Sequence, residues 1–278
     1  MGGFVKILSS TLPSVEITFF RNLFGVIIIG IIIYKIPLSQ KGGRPWLLFF
    51  RGFMGFISLL AYFYVMANIP LGVATTYNKT SPLFVALFAY LFLQEKLQKY
   101  AIFALLIGFL GIVFVAKPEG FGLSKYDILG ILSGIGAALA YTSIRELRHY
   151  YDTRAIVLSF MLVGSIGPLI LMVIAELFSP TWLDFALSTF VMPQGVEWLY
   201  LCGVGLFATI SQYLMTKAYS LTKAGIVGAV SYSNIIFATA IGIFLGDPIP
   251  DIWTFLGIIL VILAGLLVSK KEKPQKGN

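Results

Sequence analysis

The stretch LGVATTYNKTSPLFVALFAYLFLQEKLQKYAIFALLIGFLGIVFVAK, residues Leu71–Lys117, decides how this chain is read, because AGIVGAVSYSNIIFATAIGIFLGDPIPDIWTFLGIILVILAGLLVSK, residues Ala224–Lys270, repeats it. Pro82 falls on Asn234 and Glu95 on Asp247 at one common offset, and upstream Ala61, Tyr62 and Ala67 lie over Gln212, Tyr213 and Ala218. Self-similarity at a fixed offset marks a fold built from duplicated units. Each copy holds two apolar runs, and about 20 apolar residues in a helix span a ~30 Å hydrocarbon core.

The rest of the composition agrees. Of 278 residues 58% are hydrophobic and 12% charged, with a mean hydropathy of +0.92, where a soluble domain carries roughly 25% charged residues. A water-soluble fold is excluded, since so much apolar surface cannot be hidden in one aqueous core. One cysteine, Cys202, excludes an intramolecular disulfide, and with one histidine, His149, it leaves no zinc or haem constellation, so no metal or cofactor is expected. Nine spans are predicted: Ser14–Tyr34, Trp46–Met66, Leu71–Leu93, Tyr100–Ala116, Tyr126–Ile144, Ala155–Ala175, Val196–Tyr219, Gly225–Gly246 and Ile252–Val268. Trp46, Trp198 and Trp253 open helices and Trp182 lies in the longest loop, as an aromatic belt requires.

The excess of bases, +8 overall, is a topology signal. Lys270, Lys271, Lys273 and Lys276 in the tail share a side with Lys217 and Lys223, Arg145, Arg148 and Arg154, Lys96 and Lys99, and Lys35, Lys41 and Arg44. The other side holds only Lys6, Lys117 and Lys125 but gathers Glu119, Asp127, Glu176, Asp184, Glu197, Asp247 and Asp251. The positive-inside rule then makes the carboxyl terminus cytoplasmic and disfavours a nucleic-acid role. Two similar halves with an odd number of helices each must insert in opposite directions, so Glu95 faces the cytoplasm while Asp247 faces out. This is the inverted repeat of secondary transporters. Aligning Val15–Arg21 with Ala155–Met161 leaves the partner of Tyr126–Ala140 before residue 1, so Met1–Leu8 is expected to be the outer end of a truncated first helix.

FFRNLFG (Phe19–Gly25), RGFMGFISLLAYFYVMANIPLG (Arg51–Gly72), TSPLFVALFAYLFLQEK (Thr80–Lys96) and GFLGIVFVAKP (Gly108–Pro118) together resemble the EamA family of the drug/metabolite transporter superfamily. The likeness implies an all-α integral membrane protein, a ten-helix bundle of two inverted five-helix repeats around a central cavity, exporting or importing small metabolites. The repeats are expected at residues 1–125 and 126–278, the second ending in a short basic tail. A bacterial inner membrane, a small-molecule substrate and a monomer or homodimer follow as expectations. The departures from the family are the missing start of the first helix and Lys79, where an apolar or small polar residue is commoner.

Three bases sit inside predicted spans, where a charge costs at least ~2.5–3.5 kcal/mol at the bilayer centre. Lys79, ~12 Å past Leu71 at 1.5 Å per residue, is close to the midplane. No acid lies at its depth, so it calls for an anionic substrate group or loses its proton. Arg21 sits at a similar level, and pairing with Glu16, backbone oxygens and substrate all remain open for it. Arg51, ~7.5 Å past Trp46, is expected to snorkel to the interface. Tyr77, Asn78, Lys79, Thr80, Ser81 and Pro82 form a polar run, and Pro82 removes a helical hydrogen bond and crowds the carbonyl of Asn78. Irregular backbone at this depth survives only where protein or a cavity covers it. The repeat mate of the run is Ser231, Tyr232, Ser233 and Asn234. Candidate substrate-binding residues are therefore Lys79, Asn78, Tyr77, Thr80, Ser231, Tyr232, Asn234 and Arg21, with Tyr62, Tyr64, Gln212 and Tyr213 as wall residues.

Weaker motifs fall away. Gly134-Ile-Gly136 lies inside a span with no strand before it, and Gly130, Gly134, Gly242 and Gly246 read as close helix contacts. Asn78-Lys79-Thr80 fits a glycosylation sequon but is buried in lipid, and His149 belongs to a solvated loop. No HExxH, GxSxG or Walker loop is present, which disfavours a membrane enzyme and an ATP-driven pump. A secondary transporter of an amino acid or organic anion, working by alternating access, is the leading function. A passive channel or structural membrane subunit is the alternative.

Overall fold

The computed structural model describes residues 1–39, 42–93, 99–116, 123–178, 180–221, 227 and 230–270. In chain order the helices are α1 Gly2–Leu8, α2 Ser14–Lys35, α3 Pro45–Asn68, α4 Leu71–Asn78, α5 Ser81–Leu93, α6 Lys99–Ala116, α7 Lys125–Leu147, α8 Thr153–Leu177, α9 Glu197–Leu221, α10 Ser233–Phe244 and α11 Ile252–Lys270, with a 3-10 turn at Thr181–Leu183. No strand occurs among the described residues. Glu95, Lys96, Lys41, Lys117, Glu119, Lys223, the start of the Gly225–Gly246 span and the tail bases Lys271, Lys273 and Lys276 lie outside them.

The helix starts follow local chemistry. Ser124 and Asp127 cap α7 reciprocally: the Asp127 amide donates to Ser124 Oγ at 3.2 Å, and the Ser124 amide donates to Asp127 Oδ2 at 2.9 Å. Asp152 accepts from the Arg154 amide at 2.8 Å to start α8, and Pro45 opens α3 where its missing N–H is harmless. Helices α2, α3, α7, α8 and α9 are each long and apolar enough to cross a membrane, with mean hydropathies from 1.3 to 2.4.

The bundle is apolar outside and carries polar side chains within its largely apolar interior. Ile31, Leu106, Ile170, Val173, Leu214 and Phe237 are exposed, while Glu16, Thr18, Asn22, Ser58, Thr76 and Ser133 are buried. This distribution suits lipid as the surrounding solvent, and the protein is an all-α, multi-pass membrane bundle. Helices occupying equivalent places in the two halves pack on each other: α2 on α8, α4 on α10 and α6 on α11. Other contacts come as images, α3 on α8 with α2 on α9, and α3 on α7 with α1 on α9.

Two expectations need correction. The single span Leu71–Leu93 is broken into α4 and α5 by a turn at Lys79 and Thr80. Pro82 offers no N–H to the Asn78 carbonyl, and the chain tightens there, with the Thr80 amide donating to the Tyr77 carbonyl at 3.1 Å. A matching turn falls at Tyr232, just before α10. Gly246 is not a helix contact: it has φ +98 with open space around its Cα, and it turns the chain from α10 into Asp247. Gly130 and Gly134 do receive close neighbours, since a Cβ would meet the Tyr77 ring at 2.7 Å and the Tyr77 carbonyl at 2.8 Å. Gly242 likewise leaves room for the Asp247 carboxylate.

Candidate functional site

The turn between α4 and α5 opens onto a central cavity of about 400 Å³. Arg21 from α2, Arg51 from α3 and Lys79 all line it, together with Ser58, Tyr62, Thr75, Asn78, Tyr141, Ser211, Gln212 and Asn234. The three cationic residues are 3%, 1% and 7% exposed. Among the described residues no carboxylate forms an ion pair with any of them, and no Asp or Glu lines the cavity. Three formal positive charges thus share one small space without an acid.

Phe160 of α8 holds the two guanidinium groups together. Arg51 Cζ lies 4.6 Å and Arg21 Cζ 5.1 Å from its ring centroid. Gly55, one turn beyond Arg51, makes the arrangement possible, because a Cβ there would sit 2.9 Å from Arg51 Nη1 and 2.7 Å from the Phe160 ring. Arg51 therefore does not snorkel. The packing of α3 on α8 turns it inward, and its Nε is buried without a hydrogen-bond partner. Arg21 donates through Nη1 to Asn22 Oδ1, while its own Nε is also buried and unpartnered. Glu16 does not pair with it: Glu16 Oε2 accepts from the Val191 amide at 2.9 Å instead.

Of the eight predicted site residues, Lys79, Asn78, Asn234 and Arg21 reach the cavity, and Tyr77, Thr80, Ser231 and Tyr232 do not. Tyr77 points the other way, into the α4–α7 interface, and donates to Asp127 Oδ1 at 2.5 Å. Thr80 spends its hydroxyl on the Tyr77 carbonyl at 2.6 Å against Gly134. The Tyr232 ring is buried against Gly265 of α11. The polar run winds around a helix, so only one face of it can see the cavity. Among the wall residues, Tyr62 and Gln212 line the cavity, and Tyr62 meets Thr75 hydroxyl to hydroxyl at 3.0 Å. Tyr64 instead bonds Asp184 at 2.7 Å, and Tyr213 lies in a second concavity. Phe160 and Tyr141 line the cavity without having been singled out from the sequence, and Arg51 lines it where an interfacial position was expected.

The acids sit at the ends of the bundle. At one end Lys6 Nζ meets Asp247 Oδ1 at 3.1 Å and the Ile69 carbonyl at 2.9 Å, while the Leu71 amide donates to Asp247 Oδ2 at 2.7 Å. At the same end Lys125 pairs with Asp184. Burial pushes the Asp184 carboxyl up, but hydrogen bonds from Lys125 and Tyr64 outweigh it and hold the group below the usual carboxylate range. At the opposite end Arg44 pairs with Glu146 at 3.4 Å, and a hydrogen bond from Arg154 holds Asp152 below its ordinary value. Here a wider concavity of about 950 Å³ opens, lined by Arg148, His149, Tyr150, Arg154 and Tyr213 among others. Tyr141, which lines the central cavity, stacks on Tyr219 at 4.7 Å.

Comparison with known proteins gives the architecture its family. A solved crystal structure of 20% sequence identity, covering 96% of this chain and 94% of its own, superposes with a TM-score of 0.63 and so shares the fold. An S-adenosylmethionine uptake transporter of Rickettsia bellii is 22% identical over 269 residues, 96% of this chain and 88% of its own. The pseudopaline exporter of Pseudomonas aeruginosa is 34% identical over 277 residues, 98% of this chain and 92% of that protein. The model of the EamA-like transporter family matches twice, over residues 1–117 and 124–270. With both stretches matched and relatives aligned along nearly its whole length, the chain is a transporter and belongs to the EamA-like transporter family.

Proposed function

We propose that the protein is a secondary carrier of a small organic anion, in which two inverted halves, residues 1–125 and 126–278, rock about the central cavity. The observation that carries this reading is the group Arg21, Arg51 and Lys79 in a cavity lined by no described acid. A buried cation is stabilised by a carboxylate partner, by a visiting anion or, for a lysine, by loss of its proton; with two guanidinium groups and no described acid in the lining, a visiting anion is the reading this cavity supports best. Guanidinium and ammonium donors suit carboxylate or phosphate oxygens. The turns at Lys79 and Tyr232 are the broken-helix elements that such carriers place at the midplane. In this reading the protein sits in the inner membrane of a bacterium with its carboxyl terminus in the cytoplasm, an orientation that the distribution of bases along the sequence supports.

The same electrostatics favour exchange. Reorienting an empty cavity with three uncompensated cations is costly, so returning with a second anion lowers the barrier. A relative named for S-adenosylmethionine supports a different substrate, but the sulfonium of that compound is a cation and meets like charges here. The test is Lys79→Met: saturable anion counterflow in proteoliposomes falls at least tenfold, while the variant inserts and purifies like the parent. Unchanged kinetics refute the role of Lys79.

A further inference from the structure

Resting on the anion-carrier reading, we infer that the substrate bears at least two separated carboxylates, with Arg21 and Arg51 gripping one and Lys79 meeting another. The number of positive charges sets this requirement. A monocarboxylate neutralises one of three cations, and a zwitterionic amino acid adds no net negative charge because it brings its own ammonium into the same space. A dicarboxylate leaves one positive charge and a tricarboxylate matches all three, so each comes nearer to balance than a monocarboxylate.

The arrangement of the cations points the same way. The guanidinium groups of Arg51 and Arg21 both lie over one ring, Phe160, at 4.6 and 5.1 Å. Their mutual repulsion is relieved by a carboxylate lying between them, which two planar donors bind through several N–H groups at once. Lys79 approaches from a different element, the corner of α4 and α5, so its charge is matched by a second group on the ligand. Space permits it: about 400 Å³ holds roughly 13 waters at ~30 Å³ each, room for a small multiply charged metabolite. Tyr62, Thr75 and Gln212 supply neutral hydrogen-bonding groups for its remaining oxygens.

The experiment measures thermal stabilisation of the purified protein in detergent by acetate, succinate, citrate, glycerol 3-phosphate and S-adenosylmethionine at matched ionic strength. A ligand that binds only the native state raises the midpoint by mass action. The expected order is citrate and succinate well above acetate, with at least a tenfold lead in apparent affinity. Arg21→Gln or Arg51→Gln is expected to shrink that lead at least tenfold. Equal stabilisation by acetate, or none by citrate and succinate, overturns the inference, as does stabilisation by glycerol 3-phosphate alone. Equal effects of all anions leave the anion reading standing and remove only the requirement for two carboxylates. Stabilisation by S-adenosylmethionine with none by any anion removes both. The wild-type series decides the matter even where a variant fails to fold.

Discussion

Replacing Arg51 with methionine is expected to make the protein more stable and unable to transport. On insertion scales an arginine at membrane depth costs ~2.5–3.5 kcal/mol. Its compensation here is the contact with Phe160 at 4.6 Å, worth about 0.5–2 kcal/mol. No carboxylate among the described residues repays the remainder. Methionine keeps most of the volume beside Gly55 and gains a sulfur–aromatic contact of about 0.3–1.5 kcal/mol with the same ring. The net expectation is a gain of about 1–4 kcal/mol. Reversible denaturant unfolding in mixed micelles reads the stability, and counterflow in proteoliposomes reads the function. A residue kept for its substrate shows this opposition of stability and activity. If Arg51→Met instead loses 1 kcal/mol or more, the arginine is a structural contact and the cationic cavity loses one of its three members.

Three other outcomes follow from the packing and the bundle ends. Gly257 of α11 lies so close to α6 that a Cβ would sit 2.7 Å from the Gly111 carbonyl oxygen and 2.9 Å from the Val115 nitrogen, so Gly257→Val is expected to destabilise by about 1–3 kcal/mol, measured by the same unfolding assay. Asp247→Ala strips the partner of Lys6 and the acceptor of the Leu71 amide and is expected to cost about 1–3 kcal/mol, more than Lys6→Ala, which leaves the Leu71 bond intact; the reverse order contradicts the assignment. Because Lys125 and Tyr64 hold the Asp184 carboxyl low, its stabilisation is present above the ordinary value of about 3.9 and lost as pH falls through the folded value. The stability lead of the parent over Asp184→Asn should therefore shrink in acid, and a lead that is constant from neutral pH to pH 3 refutes the coupling.

Much of this molecule is written in its sequence because lipid imposes simple rules. Apolar runs of spanning length gave α2, α3, α7, α8 and α9 to within a few residues, and the duplicated Leu71–Lys117 stretch pairs with its copy in space, α6 on α11 and α4 on α10. Lys79 was legible as a cavity residue because a lysine so deep must face something polar. Arg51 was not. Its distance from the helix end suggested a route to the interface, but its direction is decided by Phe160, more than a hundred positions away, and by a glycine that leaves the space open. Tyr77 and Thr80 were misplaced for a related reason: adjacent residues on a helix point about 100° apart, so a polar run cannot act as one surface. The partner of Tyr77 is Asp127, a helix-cap residue whose reach into the bundle no local pattern reveals.

The most direct measurement is counterflow by the purified protein in proteoliposomes loaded with unlabelled substrate, comparing labelled succinate and citrate with labelled S-adenosylmethionine. A cavity governed by Arg21, Arg51 and Lys79 predicts saturable accumulation of the carboxylates, lost in Lys79→Met, and none of the sulfonium cation. Accumulation of S-adenosylmethionine with no uptake of either carboxylate contradicts the assignment of the cavity to anions.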